Sequence, residues 1–585
     1  MERKAVDVMC DLIEEAEIEY VFGIQGGITY RLFNALGRRG KVKLIIARHE
    51  QSAAIMAATY GRLTGKPAIL MGQGPFIASS GGFGIIEAYL SGYPLIVISD
   101  AVTNSFGQKG MIQSGSGEYG SFDLLGILRK MTKYTGLATT PKQAIQGLQQ
   151  AIKHACTDRK GPAGLVIYQP EVYEEFNENE PPYLYGMSGY ICETQKSSPN
   201  DEQIKKAFEL IGNAERPVII AGNGIHMSNS YAELKEFCEL TSIPVATSYR
   251  GKSVLNEDHP LALGMLSDYG QLVANTIVGE ADLIISLGCR LGPSDTAQEN
   301  PALINPQKQK IIQVDIDPHR AGWTFPIDLS LIGDLKATLQ KFNENASSIV
   351  NQVVATQRKE RVQKYKKELG YFEDPFTTID SSPVYPQRII GILNEVLPKD
   401  AFLMTDAGTN RAWTAHLYQS KTAGSVVVPG GIAGMGSGPP AAVATKIVNP
   451  DKCVVAVVGD GGMAMTANSI STSVQHNCPV VLIVMNDSRL GMPSARQGKK
   501  TIATHFTDTN FADIAKGYGA KGVRIKDSTQ FKSALIDAIN SNVTTVLDVI
   551  IDVERNYTKE INAVTEKMKK YKKVEANPYD ENAFF

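Results

Sequence analysis

Short apolar runs bounded by glycine, proline and polar turns recur along the chain, alternating with stretches of helical period. In the first third the runs at residues 20–23, 42–47, 68–72, 94–99 and 163–168 read as strands, with 42–47 read as buried. Strands separated by helices predict parallel sheets covered on both faces. A polar stretch rich in Pro and Glu, 171–200, reads as a linker. A second block, 201–345, repeats the pattern at 217–221, 281–288 and 311–317. A charged helical segment at 357–367 and a turn-rich stretch at 374–384 lead into a third block, 385–553. The fold expected is therefore α/β: three doubly wound parallel-sheet domains over 1–175, 201–345 and 385–553, followed by a C-terminal helical tail, 554–585. In that tail, residues 556–573 place Ile561, Val564, Met568 and Tyr571 on one helical face. Lys567, Lys569, Lys570, Lys572 and Lys573 surround that stripe, so the tail reads either as a docked terminal helix or as a basic lid.

Candidate chemistry concentrates in the third block. An apolar strand, 453–458, runs into Gly459-Asp460-Gly461-Gly462; a helix opens there, and a second strand, 479–485, ends at Asn486-Asp487. Such a βαβ unit puts both carboxylates at the carboxyl ends of parallel strands, where open α/β sheets hold ligands. Gly461 and Gly462 at the helix start would let phosphate oxygens approach backbone N–H groups and the positive end of the helix dipole. Asp460 and Asp487 are hard oxygen donors, and Mg²⁺ is usually held by one or two carboxylates together with substrate phosphates. The pattern reads as a metal-bridged diphosphate site. A similar strand end carries Thr409 and Asn410 after Asp406-Ala407-Gly408, which alone is also an ordinary helix cap. Glu50 opens a helix after the strand at 42–47, and an acid in a first turn is commonly there to complement the helix dipole.

Composition narrows the classes. The chain has 585 residues, 43% apolar, and a formal net charge of −2. That is enough for several cores and offers no electrostatic case for nucleic acid or membrane surfaces. The seven cysteines are scattered, with no Cys-x-x-Cys, so reduced thiols in a cytoplasmic setting are expected, without zinc or a disulfide framework.

The Gly-Asp-Gly segment followed by Asn486-Asp487 resembles the thiamine-diphosphate (ThDP) binding motif, and Arg48-His49-Glu50-Gln51 with Ala53-Ala54 resembles the pyrimidine-binding segment of acetolactate-synthase-like enzymes. The resemblance runs through nearly the whole chain. It implies that Asp460, Asp487 and the backbone carbonyl of Arg489 hold Mg²⁺, with Asp487 standing where Asn is commoner. It also implies that Glu50 protonates the cofactor's aminopyrimidine. The glycine-rich segment 429–442 matches the family's, with Met435 as the wedge that bends the cofactor and the Ala433 carbonyl facing its amine. Gly26, Thr409, Asn410, Gly461, Gly462 and Met492 are the further cofactor contacts it implies, and Gln113 is the candidate for the family's active-site Gln. The implied activity is formation or cleavage of a C–C bond next to a carbonyl, by a homodimer or homotetramer whose sites are completed between subunits.

Several departures bear on the substrate. Ser294 stands near a family Arg, Arg496 replaces a Trp, residues 74–80 replace a Gly-Pro-Gly-Ala loop, and 113–119 looks like an insertion. Carboligation of 2-oxo acids is the leading expectation and 2-hydroxyacyl-CoA lyase, with the tail as lid, the alternative. A non-catalytic nucleotide-binding homologue is expected to lose Glu50 or the acidic pair, and all three residues are present. Gly222-x-Gly224 and the Gly288-Cys289-Arg290 turn resemble places where relatives hold FAD or ADP, and equally fit a fold that keeps the turn without a nucleotide.

Overall fold

The computed structural model describes residues 2–101, 110–118, 120–191, 196–349, 352–497 and 500–571. Three six-stranded sheets carry the architecture, and each strand pairs with its neighbours in parallel. From edge to edge the first runs Lys43–Ile46, Tyr20–Gly23, Ala68–Gly72, Leu95–Asp100, Pro162–Ile167 and Tyr134–Ala138. The C-terminal sheet runs Val426–Val427, Phe402–Thr405, Val454–Gly459, Val481–Asn486, Thr545–Ile550 and Lys521–Ile525. Counted within each domain, both follow the order 2-1-3-4-6-5. The central sheet is different: Ala262–Met265, Val245–Thr247, Pro217–Ala221, Leu283–Leu287, Lys310–Asp315 and Leu329–Ile332 give 3-2-1-4-5-6. In all three the order reverses beside the first strand, which opens a crevice at the carboxyl ends there.

The chain divides into two compact units. One comprises Met1–Gln195 with Gly430–Pro450 and Thr466–Cys478; the other comprises Lys196–Pro429, Asp451–Met465 and Pro479–Phe585. In the first, Met9 and Ile13 of the helix Ala5–Glu15 and Leu148 and Ile152 of Pro141–Cys156 bury against Val21, Ile69 and Ile96 of the sheet. In the second, Ile389, Leu393, Trp413, Phe531 and Leu535 close over Val455, Val457 and Ile483. Strands packed on both faces lose their polar alternation, which is why the central ones read as plain apolar runs.

Four expectations need correction. The strand read as buried at 42–47 is Lys43–Ile46, an edge strand with Lys43 exposed. The linker 171–200 is partly structured: Pro170–Tyr173 forms a 3-10 turn, and Glu175–Asn177 pairs antiparallel with Glu2–Lys4. The charged helix extends to Gln352–Leu369. The tail is helical as expected, but as two short α-helices, Tyr557–Glu560 and Glu566–Lys569, rather than one continuous helix. The Ala563 and Met568 carbonyls of that tail accept hydrogen bonds from the Asn275 (2.6 Å) and Asn300 (3.0 Å) amides of the central domain, which anchors the segment by its backbone. Lys572 and Lys573 lie outside the described residues, as does Cys192. The other six cysteines are free thiols. Among the described residues no helix is long and apolar enough to cross a membrane.

Candidate active site

Three neighbouring strands of the C-terminal sheet, Phe402–Thr405, Val454–Gly459 and Val481–Asn486, end in turns carrying Thr409 and Asn410, Asp460, and Asp487. Because the strands are adjacent and parallel, these turns lie side by side at the reversal point of the sheet. Asp460 is buried at 6% exposure in the first turn of the helix Asp460–Thr466. Its two oxygens accept from the backbone N–H groups of Gly461 (2.6 Å) and Arg489 (3.1 Å). Burial, and then the neighbouring Asp487 charge, push its carboxyl up to about 6 despite those hydrogen bonds. Asp487 is also raised by burial, partly offset by Arg489, whose Nε donates to it at 2.7 Å.

Two neighbouring desolvated carboxylates thus lie together with the Arg489 guanidinium paired to Asp487 and not to Asp460, an arrangement a divalent cation would relieve. Among the described residues no group of three or more His, Cys, Asp or Glu side chains is disposed to hold a metal. A pair of carboxylates suits Mg²⁺, which takes its remaining oxygens from phosphates and water. The surrounding turns are close-fitting. A Cβ on Gly491 would lie 3.0 Å from Thr409 Cγ2, and one on Gly462 would lie 2.9 Å from Asp406 Oδ1. The Asn410 amide is occupied locally, accepting from the Asp406 N–H (3.3 Å) and donating to the Ala407 carbonyl (2.9 Å). Met492 sits half-buried on the short helix Gly491–Gln497, and Arg496 at its end is exposed beside Tyr557 of the tail.

The first unit gathers the remaining candidates. Glu50 is the first residue of the helix Glu50–Thr64, half-buried, with no hydrogen-bond partner for its carboxylate among the described residues. The turns bearing Gly26 and Gln73 follow the next two strands of the same sheet. Gln73, which the sequence reading passed over, donates its amide to Gln113 Oε1 at 2.6 Å. Gln113 is exposed and held at φ 64°, in the left-handed region. Residues 74–79, read as a loop, form a helix with Pro75 in its first turn. Asp100, also passed over, is buried and accepts from the backbone N–H groups of Ile28 and Gly74, pinning both turns. Ala433 and Met435 lie in an irregular segment ahead of the helix Gly438–Val448. In the central sheet, Gly222 and Gly224 have a packing reason of their own. A Cβ at the first would lie 2.4 Å from the Gly288 carbonyl oxygen, and one at the second 2.6 Å from Gly288 Cα.

Comparison with known proteins adds independent findings. Residues 3–117 match the family profile "Thiamine pyrophosphate enzyme, N-terminal TPP binding domain", 204–342 the central domain and 406–549 the C-terminal TPP binding domain. The chain is 31% identical over 564 residues to a "Probable acetolactate synthase large subunit" of Methanocaldococcus jannaschii, covering 94% of this chain and 92% of that one. It is 30% identical over 562 residues to the protein of the same description from Methanococcus aeolicus, covering 93% and 92%. An acetolactate synthase large subunit of Lactococcus lactis is 29% identical over 546 residues, covering 92% and 91%.

Proposed function

Since the chain belongs to the thiamine pyrophosphate enzyme family, in its acetolactate synthase group, we propose that it joins two 2-oxo acids with loss of carbon dioxide, using ThDP and Mg²⁺. The observation that carries this reading is the pair of buried carboxylates, Asp460 and Asp487, on neighbouring parallel strand ends. Asp460, Asp487 and the Arg489 carbonyl hold the metal, while Thr409, Asn410 and the amides of Gly461 and Gly462 hold the phosphates. Gly26, Ala433, Met435 and Met492 shape the space for the rings. Bound there, ThDP supplies a carbon nucleophile and accepts the electron pair released when the bond next to the carbonyl breaks. Glu50 keeps a proton at the pyrimidine ring nitrogen, a general-acid role that its half-buried carboxylate suits. Gln113, tied to Gln73, orients the substrate. A homodimer is the least assembly in this reading.

An ADP-containing group in the central domain is the second element proposed. Its support is the 3-2-1-4-5-6 strand order and the mutual proximity of Arg250, Arg290 and Arg320, whose like charges add to burial in lowering the Arg290 pKa. The packing of the tail against Asn275 and Asn300 gives the lyase alternative no support.

The test is turnover of pyruvate with ThDP and Mg²⁺, reading acyloin and carbon dioxide. Glu50→Gln should lower turnover by at least ~100-fold while ThDP still binds by calorimetry. Failure of the wild-type protein to bind ThDP, or unchanged turnover in E50Q, would refute the scheme.

A further inference from the structure

The helix Gly82–Ser91 is mostly apolar and carries a single charged residue, Glu87, which is 6% exposed. Phe83, Glu87 and Ser91 are four residues apart and so share one stripe of that helix. The segment 430–434 lies along this stripe. Glu87 Oε1 accepts from the backbone N–H groups of Gly430 (3.2 Å) and Gly431 (2.8 Å) and from the Ser91 hydroxyl (2.9 Å). Its Oε2 accepts from the N–H groups of Ile432 (2.8 Å) and Ala433 (3.1 Å). Four consecutive amides with no helix or strand partner are thus gathered on one carboxylate, in the manner of a backbone anion nest. The fit is close on the other side too. A Cβ on Gly431 would lie 2.7 Å from the Glu87 carbonyl oxygen, and one on Gly434 would lie 2.1 Å from the Phe83 ring. The last amide of the run belongs to Ala433, a non-glycine residue at φ 54°, a conformation that persists only where its surroundings impose it.

We propose that Glu87 is the positioning residue for the cofactor-bending segment: it fixes residues 430–433 and so sets the Ala433 carbonyl and the Met435 side chain before the cofactor binds. This rests on the reading of Ala433 and Met435 as cofactor contacts. Glu87 itself touches neither ring nor substrate. It does what a small side chain cannot, because both oxygens must accept at once. Gln at this position keeps the volume but turns an NH₂ toward amide donors, which breaks at least two of the four contacts.

Hydrogen exchange on the cofactor-free protein, followed by ThDP titration in Mg²⁺, tests it. Glu87→Gln should speed exchange at the amides of residues 430–433 by at least ~10-fold while distant sheet amides keep their protection. The same variant should weaken ThDP binding by at least ~10-fold, because the segment must then be ordered on binding. Gly431→Ala, which pushes the segment off the helix with Glu87 intact, should weaken ThDP similarly and stands in if E87Q does not fold. Unchanged exchange in E87Q overturns the proposal. Faster exchange with unchanged ThDP affinity also overturns it. In that case Met435→Ala locates the fault: if M435A binds ThDP as well as wild type, the segment is not a cofactor contact at all.

Discussion

Replacing Asp460 by Asn should raise the stability of the cofactor-free protein while removing most of its response to cofactor. The reason lies in the burial of Asp460 beside Asp487, which moves its carboxyl from 3.8 to about 6. A folded-state pKa above the unfolded one means the charge opposes folding: the cost is absent below about 4, grows as pH rises and is complete above about 6. The shift is worth about 3 kcal/mol at pH 7, an upper limit because Asp487 shares it. Asn removes the charge but keeps an oxygen for only one of the Gly461 and Arg489 amides, which bond different Asp460 oxygens; its NH₂ meets the other, offsetting about 1 kcal/mol of the gain. Mg²⁺ and ThDP binding should weaken in the same variant, since one of two anionic ligands is gone. A ~100-fold loss of affinity takes about 2.7 kcal/mol from the stabilisation at fixed ligand concentration. Calorimetric scans at pH 7 in chelator, and again with Mg²⁺ and ThDP, read both effects. The reasoning fails if D460N without ligand unfolds at or below the wild-type temperature, or if it keeps the wild-type shift on adding ligand.

His416 is neutral and buried, its Nδ1 bonded to the Gly270 carbonyl at 2.7 Å, and burial lowers its pKa to about 4. Below 6.5 the unfolded state takes up a proton that the folded state refuses, so stability falls from 6.5 down to about 4. Urea unfolding at pH 7 and pH 5 should show wild type losing about 2 kcal/mol more than His416→Gln, and equal losses would contradict the assignment. Asn275→Ala strands the Ser267 N–H, leaves the Ser267 carbonyl its Gly270 bond, and releases the Ala563 carbonyl of the tail. It should cost about 1–3 kcal/mol per stranded group and expose residues 554–571 to proteases, whereas cleavage at the wild-type rate would show the tail is held elsewhere.

Much of the candidate site was legible because a strand, its turn and the following helix are consecutive in the chain. Asp460 and Asp487 announced themselves at the ends of apolar runs, and the structure sets those strand ends next to each other. Glu50 was legible as the first residue of its helix. Tyr134–Ala138, with threonine, glycine and half-exposed positions, carried too little apolar signal to be read as a strand.

What remained hidden has one physical origin. Polar partners far apart in sequence leave no periodic trace. Glu87 is the one charged residue of its helix, and the sequence shows only its spacing of four from Phe83 and Ser91; the amides that use it lie 343 residues and more away. The tail's stripe at 561, 564, 568 and 571 fits one continuous helix, but Asn275 and Asn300 capture its carbonyls and the tail forms two short helices instead. Local order along the chain therefore determined which residues end each strand and so which side chains stand at the carboxyl ends of the sheets. Tertiary structure decided which strands are neighbours, which buried carboxylates face each other and which hold a distant segment in place, because only folding brings those groups within a few ångströms and out of water.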